Sequence, residues 1–224
     1  MGPRAVLFDM DDTLIDWPAA IDVAIGTALT ELGPTATADA ADHLWAEIRA
    51  LTWHQRNGTV VDRAHWRLRN EPRVPIDRAF PDSPAEARRR AADLFAAELR
   101  PPLFADVLPA LNLLSKIRLG VLSNSPVALM ALQQHGIAGR FHSVTMADDP
   151  YRKPHIRAFE EACSAIGHRP VDVAFVGDSI TSDVEGAIAA GLHPVIWLDR
   201  FDDPSGCPSG ASRISSLSDL PSLL

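Results

Sequence analysis

Two aspartates, Asp9 and Asp11, stand two residues apart after the apolar run Ala5-Val6-Leu7-Phe8, and Thr13 follows two residues further on. A short apolar run of this kind reads as a buried strand. Carboxylates at i and i+2 leave its end on the same side of the chain. Like charges that close do not both stay ionised cheaply unless a cation or a proton lies between them. The pair therefore asks for a metal, for acid–base work, or for both. Alone it is a weak signal, because paired aspartates in a turn are more often solvated or spent on capping.

Other apolar runs also end in polar residues. Ile117–Leu122 runs into Ser123-Asn124-Ser125, and Val171–Val176 into Gly177-Asp178-Ser179. Ser123 and Asn124 offer a hydroxyl and an amide suited to phosphoryl oxygens, and Lys153, placed before Pro154, offers a point charge. Asn124 has a second reading, as the cap of a helix announced by Pro126. The loop from Gly177 to Asp183 adds two carboxylates. Ser182 and Glu185 have the spacing of a capping box, which puts Asp183 in the first turn of a helix. Asp12 fills a turn position often held by glycine.

These residues need elements to hold them. The runs Ala5–Phe8, Ile117–Leu122, Val171–Val176 and Pro194–Leu198 alternate with helical patterns, which implies a parallel sheet with its site at the carboxyl ends of the strands. A last short strand is expected near Arg213–Ile214, after a surface loop over Asp202–Ser212. From Leu14 to about Pro102 the pattern is helix after helix, with no convincing strand. Ile21, Ile25, Leu29 and Leu32 form one stripe; Ala41, Leu44, Trp45, Ile48 and Leu51 form a second. Ser83-Pro84-Ala85-Glu86 predicts a capping box opening a helix to about Leu99, stopped by Pro101-Pro102. The organisation expected is α/β: a parallel-sheet core from residues 1–15 and 103–224, and an α-helical lid, or cap, over 16–102. Trp45 reads as core. Trp53, His54 and Arg56 precede Asn57-Gly58, a turn signal, so one or more of them could face the site as substrate contacts, although most lid aromatics simply pack.

Composition bounds the partners. The 224 residues are 46% apolar, enough for a sizeable core, with no segment apolar for long enough to span a bilayer. The opening Met1-Gly2-Pro3-Arg4 runs straight into the strand pattern without a secretory apolar region, so a cytoplasmic location is expected. Cys163 and Cys207 lack ligand spacing and read as free thiols. The eight histidines show no ligand spacing either, which argues against zinc. A formal charge of −8 argues against nucleic acid as a partner. It does not exclude an anionic small molecule, because a metal can reverse the field locally. The oligomeric state is not legible.

Taken in order, these residues resemble the haloacid dehalogenase-like hydrolase superfamily. Its first motif, aspartate-x-aspartate-x-threonine after an apolar strand, matches Asp9 to Thr13. Its second, a serine or threonine ending a strand, matches Ser123, although Ser123-Asn124-Ser125 departs mildly from the threonine-asparagine-glycine of many relatives. Its third, a lysine commonly followed by proline, matches Lys153-Pro154. Its fourth, glycine-aspartate with a second aspartate five residues on, matches Asp178 and Asp183. The likeness runs from about Val6 to Leu198.

The resemblance implies a Rossmann-like core with helices on both faces and an inserted α-helical cap. It also implies a Mg²⁺-dependent phosphomonoester hydrolase acting on a small phosphorylated metabolite. Asp9 would be the nucleophile, forming an aspartyl-phosphate, and Asp11 the proton carrier. The metal would be held by Asp9, Asp178 and the backbone carbonyl of Asp11. Ser123, Asn124 and Lys153 would bind the phosphoryl group, with Asp183 and Thr13 supporting from behind. Three other readings stay open. A phosphotransferase or mutase would use the same residues; a 2-haloacid dehalogenase would have no need of an acid at Asp11, because halide leaves without a proton; a non-catalytic binding protein would share only the fold.

Overall fold

The computed structural model describes residues 2–33, 39–56 and 59–224, of which 54–56 and 59–63 by backbone alone. The chain opens with β1 (Ala5–Phe8) and then leaves the sheet for α1 (Trp17–Leu32), α2 (Ala40–Thr52), β2 (Trp53–Arg56) and β3 (Thr59–Arg63). Next come α3 (Arg67–Asn70), α4 (Arg73–Ala79) and α5 (Ala85–Glu98). It returns through α6 (Val107–Leu113) to β4 (Arg118–Ser123), α7 (Ala128–Gln134) and β5 (Ser143–Met146). It finishes with α8 (Ile156–Ile166), β6 (Val173–Gly177), α9 (Gly186–Ala189), β7 (Val195–Leu198) and β8 (Ala211–Ile214). Two compact units result: Met1–Ile15 with Leu103–Leu224, and Asp16–Pro102.

The first unit is built on a wholly parallel six-stranded sheet in the order β5-β4-β1-β6-β7-β8. This is the α/β, Rossmann-like core the sequence implied. All residues of β1, β6 and β7 are buried, without the alternation of a one-sided sheet. That pattern belongs to parallel strands covered on both faces. Phe159, Ala162, Cys163 and Ile166 of α8 pack with Leu7, Phe175 and Trp197 in one apolar cluster. The chain adds β4 and β5 on one side of β1, then β6, β7 and β8 on the other. The reversal falls at β1, and ligands of open α/β sheets bind at such a point. β5 was not expected from the sequence. Its four residues lie at the sheet edge, half-buried or exposed, and give no apolar run to read.

In the second unit, α1 buries Trp17, Ala20, Ile21, Ala24, Ile25, Ala28 and Leu32, and α2 buries Leu44, Ile48 and Leu51. Asp16 caps α1, its carboxylate accepting from the Ala19 amide at 3.0 Å. Trp45 is half-buried, its indole N–H donating to Asp22 at 2.7 Å. Two expectations need correcting. The unit is not wholly helical: β2 and β3 form an antiparallel pair with Arg56 opposite Thr59. The strands escape notice because they are short and mostly polar; the expected turn at Asn57-Gly58 lies outside the described residues. The second correction concerns α5, which starts at Ala85, with Pro84 as an extended cap residue (φ −51°, ψ 135°) rather than the first helical residue behind a Ser83 cap.

Candidate active site

Three neighbouring strands deliver the motif residues to one place. β1 pairs with β4 and β6 so that Phe8 lies level with Val121 on one side and Val176 on the other. Asp9, Ser123 and Asp178 therefore leave the carboxyl ends of adjacent central strands. Asp9 is fixed to β6 by its own amide, which donates to the Val176 carbonyl at 2.8 Å. The chain then turns tightly. The amides of Leu14 and Ile15 both donate to the Met10 carbonyl, and Asp12 takes φ 61°. That is the left-handed region, where glycine is usual and aspartate is tolerated better than most residues.

Lys153 is the hub. Its ammonium donates to Asp9 Oδ1 and to Asp183 Oδ1, each at 2.6 Å, with all three side chains buried. A lysine on a loop is ordinarily a solvated charge; here two carboxylates take the place of water. Burial opposes its charge, but the Asp183 and Asp9 carboxylates outweigh that and hold it above the ordinary lysine range. For Asp9, burial is the largest influence and raises the carboxyl well above the usual range. Lys153 opposes the rise, while Asp183, Asp178 and Asp11 add to it.

Asp183 sits where it does for local reasons. Residues Ile180–Glu185 form a π-helical turn whose cap is Ser179, with its hydroxyl accepting from the Ser182 amide at 3.2 Å. The cap is thus Ser179 and not Ser182, as the spacing to Glu185 had suggested, although Asp183 does lie in the first turn. Its second oxygen accepts from the Ser179 amide at 3.0 Å. Gly177 makes room: a Cβ there would lie 2.5 Å from the Asp183 carboxyl carbon.

Asn124 bonds the backbone of Lys153 on both sides. Its side-chain oxygen accepts from the Lys153 amide at 2.8 Å, and its amide nitrogen donates to the Lys153 carbonyl at 3.1 Å. It orients the lysine loop, while α7 begins four residues later without it. Ser123 is buried and its hydroxyl accepts from the Ser125 amide at 3.0 Å, leaving its proton to be donated. Thr13, the last residue of the first motif, is fully buried. Trp53 lies beneath the Arg49 guanidinium, 5.5 Å from its ring centre. The His54 and Arg56 side chains are outside the described residues. Sequence reasoning missed Trp197, whose indole N–H donates to the Asp178 carbonyl at 2.9 Å. A tryptophan in a buried strand gives no sign of such a contact until β7 is known to lie beside β6.

Among the described residues, Asp9, Asp178 and Asp183 place carboxylate oxygens within 4.8 Å of one another. Asp11 is outside this group, and Asp183, expected only in support, is inside it. The donors are hard oxygens, the set that suits Mg²⁺ and not zinc. The cluster also carries more carboxylate than one ammonium can neutralise, as the raised Asp9 carboxyl reflects. The residues fit a divalent cation.

Residues 3–191 match the family model described as haloacid dehalogenase-like hydrolase. A phosphoglycolate phosphatase of Salmonella choleraesuis (strain SC-B67) is 32% identical over 212 residues, covering 86% of this chain and 80% of its own. Among solved structures, the HAD-hydrolase YfnB from Bacillus subtilis, bound to magnesium, aligns with a TM-score of 0.73 at 19% identity, covering 100% of this chain and 99% of its own. A 2-haloacid dehalogenase from Pseudomonas syringae pv. Tomato DC3000 aligns with a TM-score of 0.58 at 25% identity, over 99% of this chain and 97% of its own. With motif order, sheet topology and family match in agreement, the chain belongs to the haloacid dehalogenase-like hydrolases, and its curated relatives place it with the phosphatases of that family.

Proposed function

We propose that the protein is a Mg²⁺-dependent phosphomonoester hydrolase working through an aspartyl-phosphate, with Asp9 as nucleophile and Asp11 as proton carrier. The observation that carries this reading is the buried Lys153 ammonium bonded to both Asp9 and Asp183. It fixes the nucleophilic carboxylate and leaves a positive charge beside the transferring group. A Mg²⁺ held by Asp9, Asp178 and the Asp11 carbonyl would screen the repulsion between a phosphate dianion and an attacking carboxylate.

In the first step an Asp9 oxygen bonds to phosphorus as the ester P–O bond breaks, and Asp11 gives the departing alkoxide its proton. In the second, Asp11 takes a proton from water, whose oxygen attacks phosphorus and frees Asp9 with inorganic phosphate. Ser123 donates to a phosphoryl oxygen, Asn124 holds the Lys153 loop, and Asp183 aims the ammonium. The unit Asp16–Pro102 acts as the cap, shielding the intermediate from stray water and choosing the substrate. The curated relatives make 2-phosphoglycolate the first ester to test.

The likeness to a haloacid dehalogenase keeps a second reading in view, and Asp11 argues against it, since a halide needs no proton. The deciding experiment is a panel of phosphate monoesters and 2-haloacids, assayed for phosphate and halide with and without Mg²⁺. Phosphate release that requires Mg²⁺ and disappears in Asp9→Asn, with cooperative unfolding retained, is the expected result. Halide release, or no phosphate from any ester, would overturn the proposal. Phosphate accounting for every ester cleaved also separates hydrolysis from transfer to a second hydroxyl.

A further inference from the structure

Arg200 follows β7, far in sequence from the motif residues, yet its guanidinium grips the turn that carries Asp11. Nε and Nη2 donate to the Thr13 carbonyl at 3.2 and 2.8 Å. Nη1 and Nη2 donate to Asp106 Oδ2 and Oδ1, both at 3.0 Å. The Phe104 ring lies under the guanidinium, 3.8 Å from centre to carbon, and the arginine side chain is only 8% exposed. Asp106 is itself held by Ser216 Oγ and the Leu217 amide, each donating at 2.8 Å. A planar fork with both edges satisfied has a single geometry available to it, which a lysine could not reproduce.

The turn needs that support. Between Asp9 and Ile15 the backbone leaves a strand, passes through the left-handed Asp12 and closes on the Met10 carbonyl. The Thr13 carbonyl is turned to Arg200. The Phe104 amide donates to the Leu14 carbonyl at 3.1 Å, so the same cluster also holds the chain where it re-enters the sheet unit.

We propose that Arg200, oriented by Asp106, is a positioning residue for Asp11, setting the proton carrier in line with the leaving oxygen. This inference rests on Asp11 being the proton carrier. An error of about 1 Å in such a group is enough to cost about 100-fold in rate. The loss must fall on esters whose leaving group needs a proton, because an aryl oxide departs without one.

The test compares kcat/KM for an alkyl and an aryl phosphate monoester, both chosen from those the wild type hydrolyses, in Asp11→Asn, Arg200→Ala and Arg200→Lys. Arg200→Ala is expected to lose about 100-fold on the alkyl ester and less than about 5-fold on the aryl ester, where proton donation contributes little. Asp11→Asn should show the same selectivity, and Arg200→Lys a partial recovery. If Asp11→Asn is selective and Arg200→Ala loses both esters equally or neither, the positioning role is wrong while the acid–base reading stands. If Asp11→Asn is itself unselective, that reading fails and takes this one with it. Should Arg200→Ala not fold, Arg200→Lys is read by the same ratio, since it keeps the charge and loses the fork.

Discussion

The Asp106 carboxylate collects four hydrogen bonds, two from Arg200 and one each from Ser216 and the Leu217 amide. Burial works against its charge, but the Arg200 bonds and charge, with those from Leu217 and Ser216, hold the carboxyl below the usual range. A carboxylate whose folded value lies below its unfolded one contributes stability above about pH 4, lost as pH falls through the folded value. Asp106→Asn should therefore be less stable than the wild type at pH 7 by about 2 kcal/mol, the worth of hydrogen bonds to a charged acceptor. The gap should narrow as pH drops below 4. Urea midpoints across pH 3 to 7 measure this, and a gap of constant size would show that shape and not charge holds the cluster. At this scale the sequence was legible where residue type and function coincide. Asp9, Ser123, Lys153, Asp178 and Asp183 could be named as candidates because their residue types fall in the order and spacing of four family motifs. The backbone contacts of Asn124, Trp197 and Arg200 could not be read, because each is made to a distant segment, and a backbone group has no sequence signature.

Elements carry the next layer of the argument. The three central strands were visible as apolar runs because burial on both faces leaves no alternation to interpret. β5 and the β2–β3 pair were not, since a short or half-exposed strand has too few apolar residues to show a period. Helix starts were misread by one to three positions at α5 and at Ile180–Glu185, where several Ser, Pro and Asp residues compete for the cap. The junction of β6 with that π-helical turn is the tightest of these joints. A Cβ at Gly177 would meet the Asp183 side chain at 2.5 to 2.6 Å, closer than non-bonded carbons approach without one of them moving. Gly177→Ala should push Asp183 off Lys153 and leave the ammonium with Asp9 alone. We expect turnover to fall by about 100-fold, as for other misplaced charge partners. The cost in stability should be about 1 to 3 kcal/mol, typical of overpacking. Steady-state kinetics beside a thermal melt checks both, and a variant with wild-type turnover would show that Asp183 is not needed to aim Lys153.

Across the whole molecule, charge poses the problem that the site has to solve. The chain carries a formal −8, and three of its carboxylates converge around Lys153, which is paired with Asp9 and Asp183. A phosphate ester approaching such a cluster meets repulsion at long range and at contact, and a cation is what turns the local field around. A cation that binds only the folded arrangement must also stabilise it. At 100 times its dissociation constant the gain is about 2.7 kcal/mol. For a chain of this length that corresponds to a rise in the thermal midpoint of roughly 5 to 10 °C. Mg²⁺ should therefore raise the midpoint of chelator-treated protein, and Asp178→Asn should lose most of that rise while still folding. Inorganic phosphate should bind by calorimetry only when Mg²⁺ is present. Phosphate binding of equal strength without the metal would mean that Lys153 and Ser123 overcome the repulsion unaided, and the assignment of Asp9 and Asp178 as metal ligands would then fall.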